Sequence, residues 1–135
     1  MIDLNALRAA LTALSEVELA VVFGSSARGR SSPRSDVDLA LRLKPSTPEA
    51  RRKIVAAARA AVLREIDDID LDTAPALLRL QIARHGLLLV EREPRSWAEF
   101  KAKAMTDWWD WAPTARWIHA AYIRRLREQT AHGGA

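Results

Sequence analysis

The stretch "VVFGSSARGRSSPRSDVDLAL", residues 21–41, decides how the rest of the chain is read. It opens as an apolar run, turns into glycine, serine and arginine at Gly24, and closes with Asp36 and Asp38 inside a second apolar run. On a strand, residues i and i+2 project to the same side, so the two carboxylates stand side by side. Left alone they repel, and one of them tends to keep its proton. A divalent cation removes the conflict, and an all-oxygen donor set suits Mg²⁺, which completes its shell with water and substrate phosphates. The same stretch supplies groups for phosphates. Gly24 lets the backbone approach an anion, and Ser25 offers a hydroxyl and an amide at a turn that can open a short helix. Arg28 and Arg30 add charge-assisted donors.

Working outward, residues 3–16 place Leu4, Leu7, Leu11 and Leu14 at helical spacing. Residues 19–23 read as a buried strand, and 36–43 as a strand with Val37, Leu39, Leu41 and Leu43 on one face and Asp36, Asp38, Ala40 and Arg42 on the other. Ser46 or Thr47 caps a helix from Pro48 to Leu63. Residues 66–73 alternate again, with Ile69 and Leu71 facing one way and Asp68, Asp70 and Asp72 the other. A helix then runs from Pro75 to Gly86, followed by a short strand at 87–90, a hinge-like "EREPR" and a helical tail at 96–126 that Pro113 interrupts. In that tail Trp97, Phe100, Ala104, Trp108 and Trp111 form a stripe that packs it on the rest of the chain, with a partner surface as the second reading. Arg42 is read as a salt-bridge partner, His85 as a helix-end residue and His119 as structural. The order of elements is that of an α/β layer with a small sheet and a helical appendage.

Composition bounds the function. The chain has 135 residues, 49% of them apolar, which supports one packed core. The absence of cysteine excludes a disulfide framework and thiolate metal sites. No apolar run reaches the length of a membrane span, and Asp3, Glu16 and Glu18 break the pattern of a signal peptide, so a cytoplasmic location is expected. The net charge of +4 suits a polyanionic ligand, but the arginines are scattered and predict no nucleic-acid patch.

Gly24-Ser25, ten residues and then Asp36-Val37-Asp38 resembles the signature of the polymerase-beta-type nucleotidyltransferases, and the fuller string around it is similar to their minimal members. "DIDLDTAPALLRLQIARHGLLLVER" extends the similarity, which spans roughly residues 4–92. The resemblance implies that family's α+β fold, a small mixed sheet flanked by helices, as a domain over 1–94 with a tryptophan-rich helical extension over 95–135. It implies that Gly24 and Ser25 hold the phosphates of ATP, with Arg28 as a further contact. It also implies that Asp36 and Asp38 bind two Mg²⁺ ions about 4 Å apart, and that a third aspartate on the next strand shares a metal and orients the attacking hydroxyl. Asp70 is the preferred third ligand, ahead of Asp72 and then Asp68. Minimal nucleotidyltransferases pair with small helical toxins of the HEPN class. The implied activity is therefore transfer of AMP to a hydroxyl, a tyrosine in the first instance, of such a toxin, with the chain as its antitoxin. A non-catalytic antitoxin that binds through the tail, and a transferase for an aminoglycoside-like small molecule, are the alternatives.

Overall fold

The computed structural model describes residues 2–27 and 36–133. The order along them is α1 (Leu4–Thr12), β1 (Val17–Phe23), α2 (Gly24–Ala27), β2 (Val37–Leu43), α3 (Pro48–Val62), β3 (Ile66–Asp70), α4 (Ala76–His85), β4 (Leu87–Glu91) and α5 (Ser96–Gly133). The strands form one sheet in the order β3-β2-β1-β4. β1 is antiparallel to both β2 and β4, whereas β2 and β3 are parallel. This is the mixed sheet of the expected α+β class.

Helices cover the sheet on both faces. α1 and α3 bring Leu7, Leu11, Ile54 and Ala58 against Ala20, Val22, Leu39 and Leu41. α4 and α5 bring Ile82, Phe100 and Ala104 against Leu19, Val21, Ala40 and Leu71. From Leu19 to Val22 the interior strand β1 is therefore apolar without alternation, because neither face meets water there. Each fully buried leucine or isoleucine here contributes about 1.5–3 kcal/mol.

Local chemistry sets the element ends. Asp3 caps α1 by accepting from the Ala6 amide at 3.0 Å. The helix stops at Thr12, short of residue 16, because the Leu14 and Val17 amides donate to Leu11 and Leu14 in tight turns that swing the chain into β1. Thr47 caps α3 through the Ala50 amide at 3.1 Å, with Pro48 in the first turn. The segment expected as a hinge is pinned, since Arg92 donates to the carbonyls of Thr12, Leu14 and Val17.

The interruption expected at Pro113 does not occur: α5 runs through it for 38 residues, about 57 Å at 1.5 Å per residue. Proline forfeits one hydrogen bond, to the Trp109 carbonyl, and the cooperative turns on either side carry the helix past it. The elements that α5 meets most are α4, which is only about 15 Å long, and β4. Phe100 and Ala104 are buried there, whereas Trp109 and Trp117 are 68% and 73% exposed.

Candidate active site

The β1–β2 pairing places Phe23 opposite Asp38. Gly24 follows Phe23, so the turn and the paired aspartates meet at one end of the sheet. Gly24 has φ of +70°, and a Cβ added to it would lie 2.2 Å from Asp38 Oδ2. Only glycine satisfies both the conformation and the contact. Gly24 is thus the floor against which the Asp38 carboxylate rests. Ser25 lies within α2, while its side chain and the whole of Arg28 and Arg30 lie outside the described residues.

The structure does not bring Asp70, the expected third carboxylate, beside Asp38. In the parallel β2–β3 pair, Asp38 is opposite Asp67, and Asp70 is opposite Leu41. Partners in register share a face, so Asp67 joins Asp38 at the N-terminal ends of both strands. Asp70 lies three residues further along, about 10 Å at strand rise, and on the opposite face. It is occupied there, accepting from the amides of Asp72 and Thr73 at 2.9 and 3.2 Å and standing 3.7 Å from Arg51 Nη2. Asp68 pairs with Arg51 as well. Asp72 lies past the end of β3, in a bidentate pair with Arg42 at 2.7 and 2.8 Å, which is the salt bridge expected for Arg42.

Alternation alone hides Asp67, because Ile69 and Leu71 do not mark the only buried face of this strand. Both faces are covered: Ile66 packs in the α1/α3 cluster and Ile69 in the α4/α5 cluster, on the side of Ala40 and Asp38. A signal was present. Val37-Asp38 and Ile66-Asp67 repeat the same pattern, a β-branched residue followed by aspartate, at the start of each strand.

Electrostatics agrees with this grouping. Burial first, and then the neighbouring charges of Asp67 and Asp36, push the Asp38 carboxyl above the ordinary carboxylate range. Asp36 is exposed at the mouth, and Asp38 is half-buried. The donor set is all carboxylate oxygen, which fits a hard divalent cation whose charge would relieve the crowding. Among the described residues no three histidine, aspartate or glutamate side chains are gathered so that they could hold a metal ion as they stand. The fit therefore rests on donor chemistry and on the Gly24–Asp38 contact. The arrangement can hold a cation and anionic phosphates together at a sheet end.

Residues 5–95 match the protein family described as Polymerase beta, Nucleotidyltransferase. No curated protein matches the chain in sequence. Among solved structures, the fold is similar to a chain of a toxin–antitoxin complex crystallised with AMP-PNP, with TM-score 0.76 and 20% identity over 90% of this chain and 99% of that one. It is also similar to a chain of the MntA–HepT toxin–antitoxin complex, with TM-score 0.68 and 19% identity over 89% and 96%. A third similarity is to a chain of the complex of tri-AMPylated Shewanella oneidensis HEPN toxin with MNT antitoxin, with TM-score 0.69 and 17% identity over 89% and 98%. Among the described residues no helix is long and apolar enough to cross a membrane.

Proposed function

The chain belongs to the polymerase beta nucleotidyltransferase family, and on that premise we propose that it is a protein adenylyltransferase, an antitoxin that moves AMP from ATP onto a hydroxyl of a partner HEPN-type toxin. The observation that carries this reading is the contact of the Gly24 turn with Asp38 beside Asp36 and Asp67. The complexes whose folds resemble this one, with AMP-PNP in one and an AMPylated toxin in another, support the choice of ATP and of the acceptor.

In the reaction the acceptor oxygen bonds to the α-phosphorus of ATP. The bond from that phosphorus to the α–β bridging oxygen breaks, pyrophosphate leaves, and the hydroxyl passes its proton to water or to the carboxylate that orients it. Asp36, Asp38 and Asp67 would hold Mg²⁺, which neutralises charge on the phosphates. The Gly24–Ser25 turn receives the outer phosphates, with Arg28 as a further contact. Asp67, on the edge strand, orients the acceptor hydroxyl. The protein's contribution is mainly position and field.

The test incubates the protein with Mg²⁺, α-labelled ATP and the candidate toxin, then follows label and mass on the toxin. Wild type is expected to add AMP, and Asp36→Asn/Asp38→Asn is expected to add none. One observation favours a second reading, a contact antitoxin: Trp109, Trp117 and Tyr122 are exposed on the distal part of α5. Toxin neutralised by the double aspartate variant, with its mass unchanged, would decide for contact.

A further inference from the structure

β3 stands at the edge of the sheet, hydrogen-bonded within it to β2 alone. Of its five residues, three are Asp67, Asp68 and Asp70. Period two sends Asp67 to the α4 side with Asp38, and Asp68 and Asp70 to the α3 side. A single guanidinium meets both of the latter. Arg51, in the first turns of α3, places Nη1 2.5 Å from Asp68 Oδ2 and Nη2 3.7 Å from Asp70 Oδ2. All three side chains are half-buried, and the other oxygen of Asp70 already closes the turn at Asp72 and Thr73.

We propose that Arg51 is a positioning residue for the carboxylate site, holding the edge strand from behind the sheet so that Asp67 stays opposite Asp38. The proposal rests on the reading of Asp36, Asp38 and Asp67 as a divalent-ion site. Its physics is simple. Three carboxylates on one short strand repel one another, and an edge strand has hydrogen bonds on one side only to resist them. The planar fork of arginine spans two carboxylates at once, which an ammonium does not. Fixing Asp68 fixes the backbone of its neighbour Asp67, although Arg51 belongs to the far face of the sheet. Lys53, two residues along the same helix, pairs instead with Glu16 at 2.8 Å. Its loss removes a salt bridge from α3 without touching β3.

The test uses Mn²⁺, which prefers the same oxygen donors, titrated into the full chain with the free ion followed by electron paramagnetic resonance. Thermal unfolding is recorded in parallel. Arg51→Ala should weaken Mn²⁺ binding roughly tenfold, the scale of a lost outer-shell partner, and Lys53→Ala should leave it within roughly twofold. Arg51→Lys should recover part of the loss. If the alanine variant does not fold, Arg51→Gln, which keeps the stem and removes the charge, is read by the same criterion. A folded Arg51 variant with wild-type affinity, or equal losses in the Arg51 and Lys53 variants, overturns the positioning role and leaves the site reading intact. A wild-type chain that binds no Mn²⁺ overturns both.

Discussion

Asp38 and Asp67 face each other across the parallel pair of β2 and β3, each the second residue of its strand. The pairing brings a carboxylate from an edge strand to the end of the sheet where the Gly24 turn already meets Asp38. Asp67→Asn should therefore abolish AMP transfer by roughly 10²-fold or more, as for a lost transition-state contact, with the thermal midpoint preserved. Asp70→Asn should lose far less activity and no more than about 1 kcal/mol of stability, the scale of a weak, partly solvated ion pair. Equal losses of activity in the two variants would sink this assignment. The measurement is labelled AMP transfer alongside thermal unfolding.

Gly24→Ala tests the floor of the site. The substitution forces a side chain into a positive-φ position and against the Asp38 carboxylate. It should cost about 1–3 kcal/mol and remove ATP binding as Asp38 is displaced. Urea unfolding and ATP titration by calorimetry read the two effects separately.

Asp38 also makes a pH prediction. Its carboxyl is raised, chiefly by burial and then by Asp67 and Asp36, so the folded state keeps this proton longer than the unfolded state does. Without divalent ions, its contribution to stability is fully present below the unfolded carboxylate range and is lost as pH rises through the raised folded value. Glu16, lowered mainly by Lys53, and Asp107, lowered by Lys103 and Arg79, slope the other way. The difference between wild type and Asp38→Asn isolates the effect. Asp38→Asn should gain stability relative to wild type as pH rises from the acid range to neutrality. A difference that stays flat with pH would count against the crowding at this site.

Leu63 ends α3 in the left-handed conformation at φ 54°, with its side chain 85% exposed. Glycine prefers that position and gives up no packing there. Leu63→Gly should stabilise the chain by about 1 kcal/mol, raising the thermal midpoint by roughly 3–5 °C. No change or a fall in the midpoint would mean that Leu63 contributes something its exposure does not reveal.

The two ends of α5 should respond differently. Phe100 is buried against the sheet, and Phe100→Ala should cost about 3–5 kcal/mol. Trp109→Ala/Trp117→Ala should leave the thermal midpoint nearly unchanged and weaken toxin binding by about 2 kcal/mol or more, as for aromatic interface anchors. A binding assay by calorimetry beside a thermal scan separates the cases. A large drop in midpoint would place these rings in the fold rather than at a partner.

The features legible from sequence were those set by covalent spacing and local chemistry. Gly24, Asp36 and Asp38 stand between two apolar runs close in sequence, and Thr47-Pro48 starts a helix wherever the pair of residues stands. Both signals survive because neighbouring strands of an antiparallel pair meet at the ends their own loop joins, and because a cap acts within one turn. The partner of Asp38 was not legible in the same way. Period two assigns faces, but it names the buried face only when the other is wet, and β3 packs Ile66 to one side and Ile69 to the other. Its register against β2 is set across a crossover helix, by packing that no local pattern encodes. The same holds for Arg51, whose link to Asp68 and Asp70 depends on how α3 lies on the sheet. Sequence therefore determined which chemical groups the chain carries, and tertiary register decided which of its aspartates stand together.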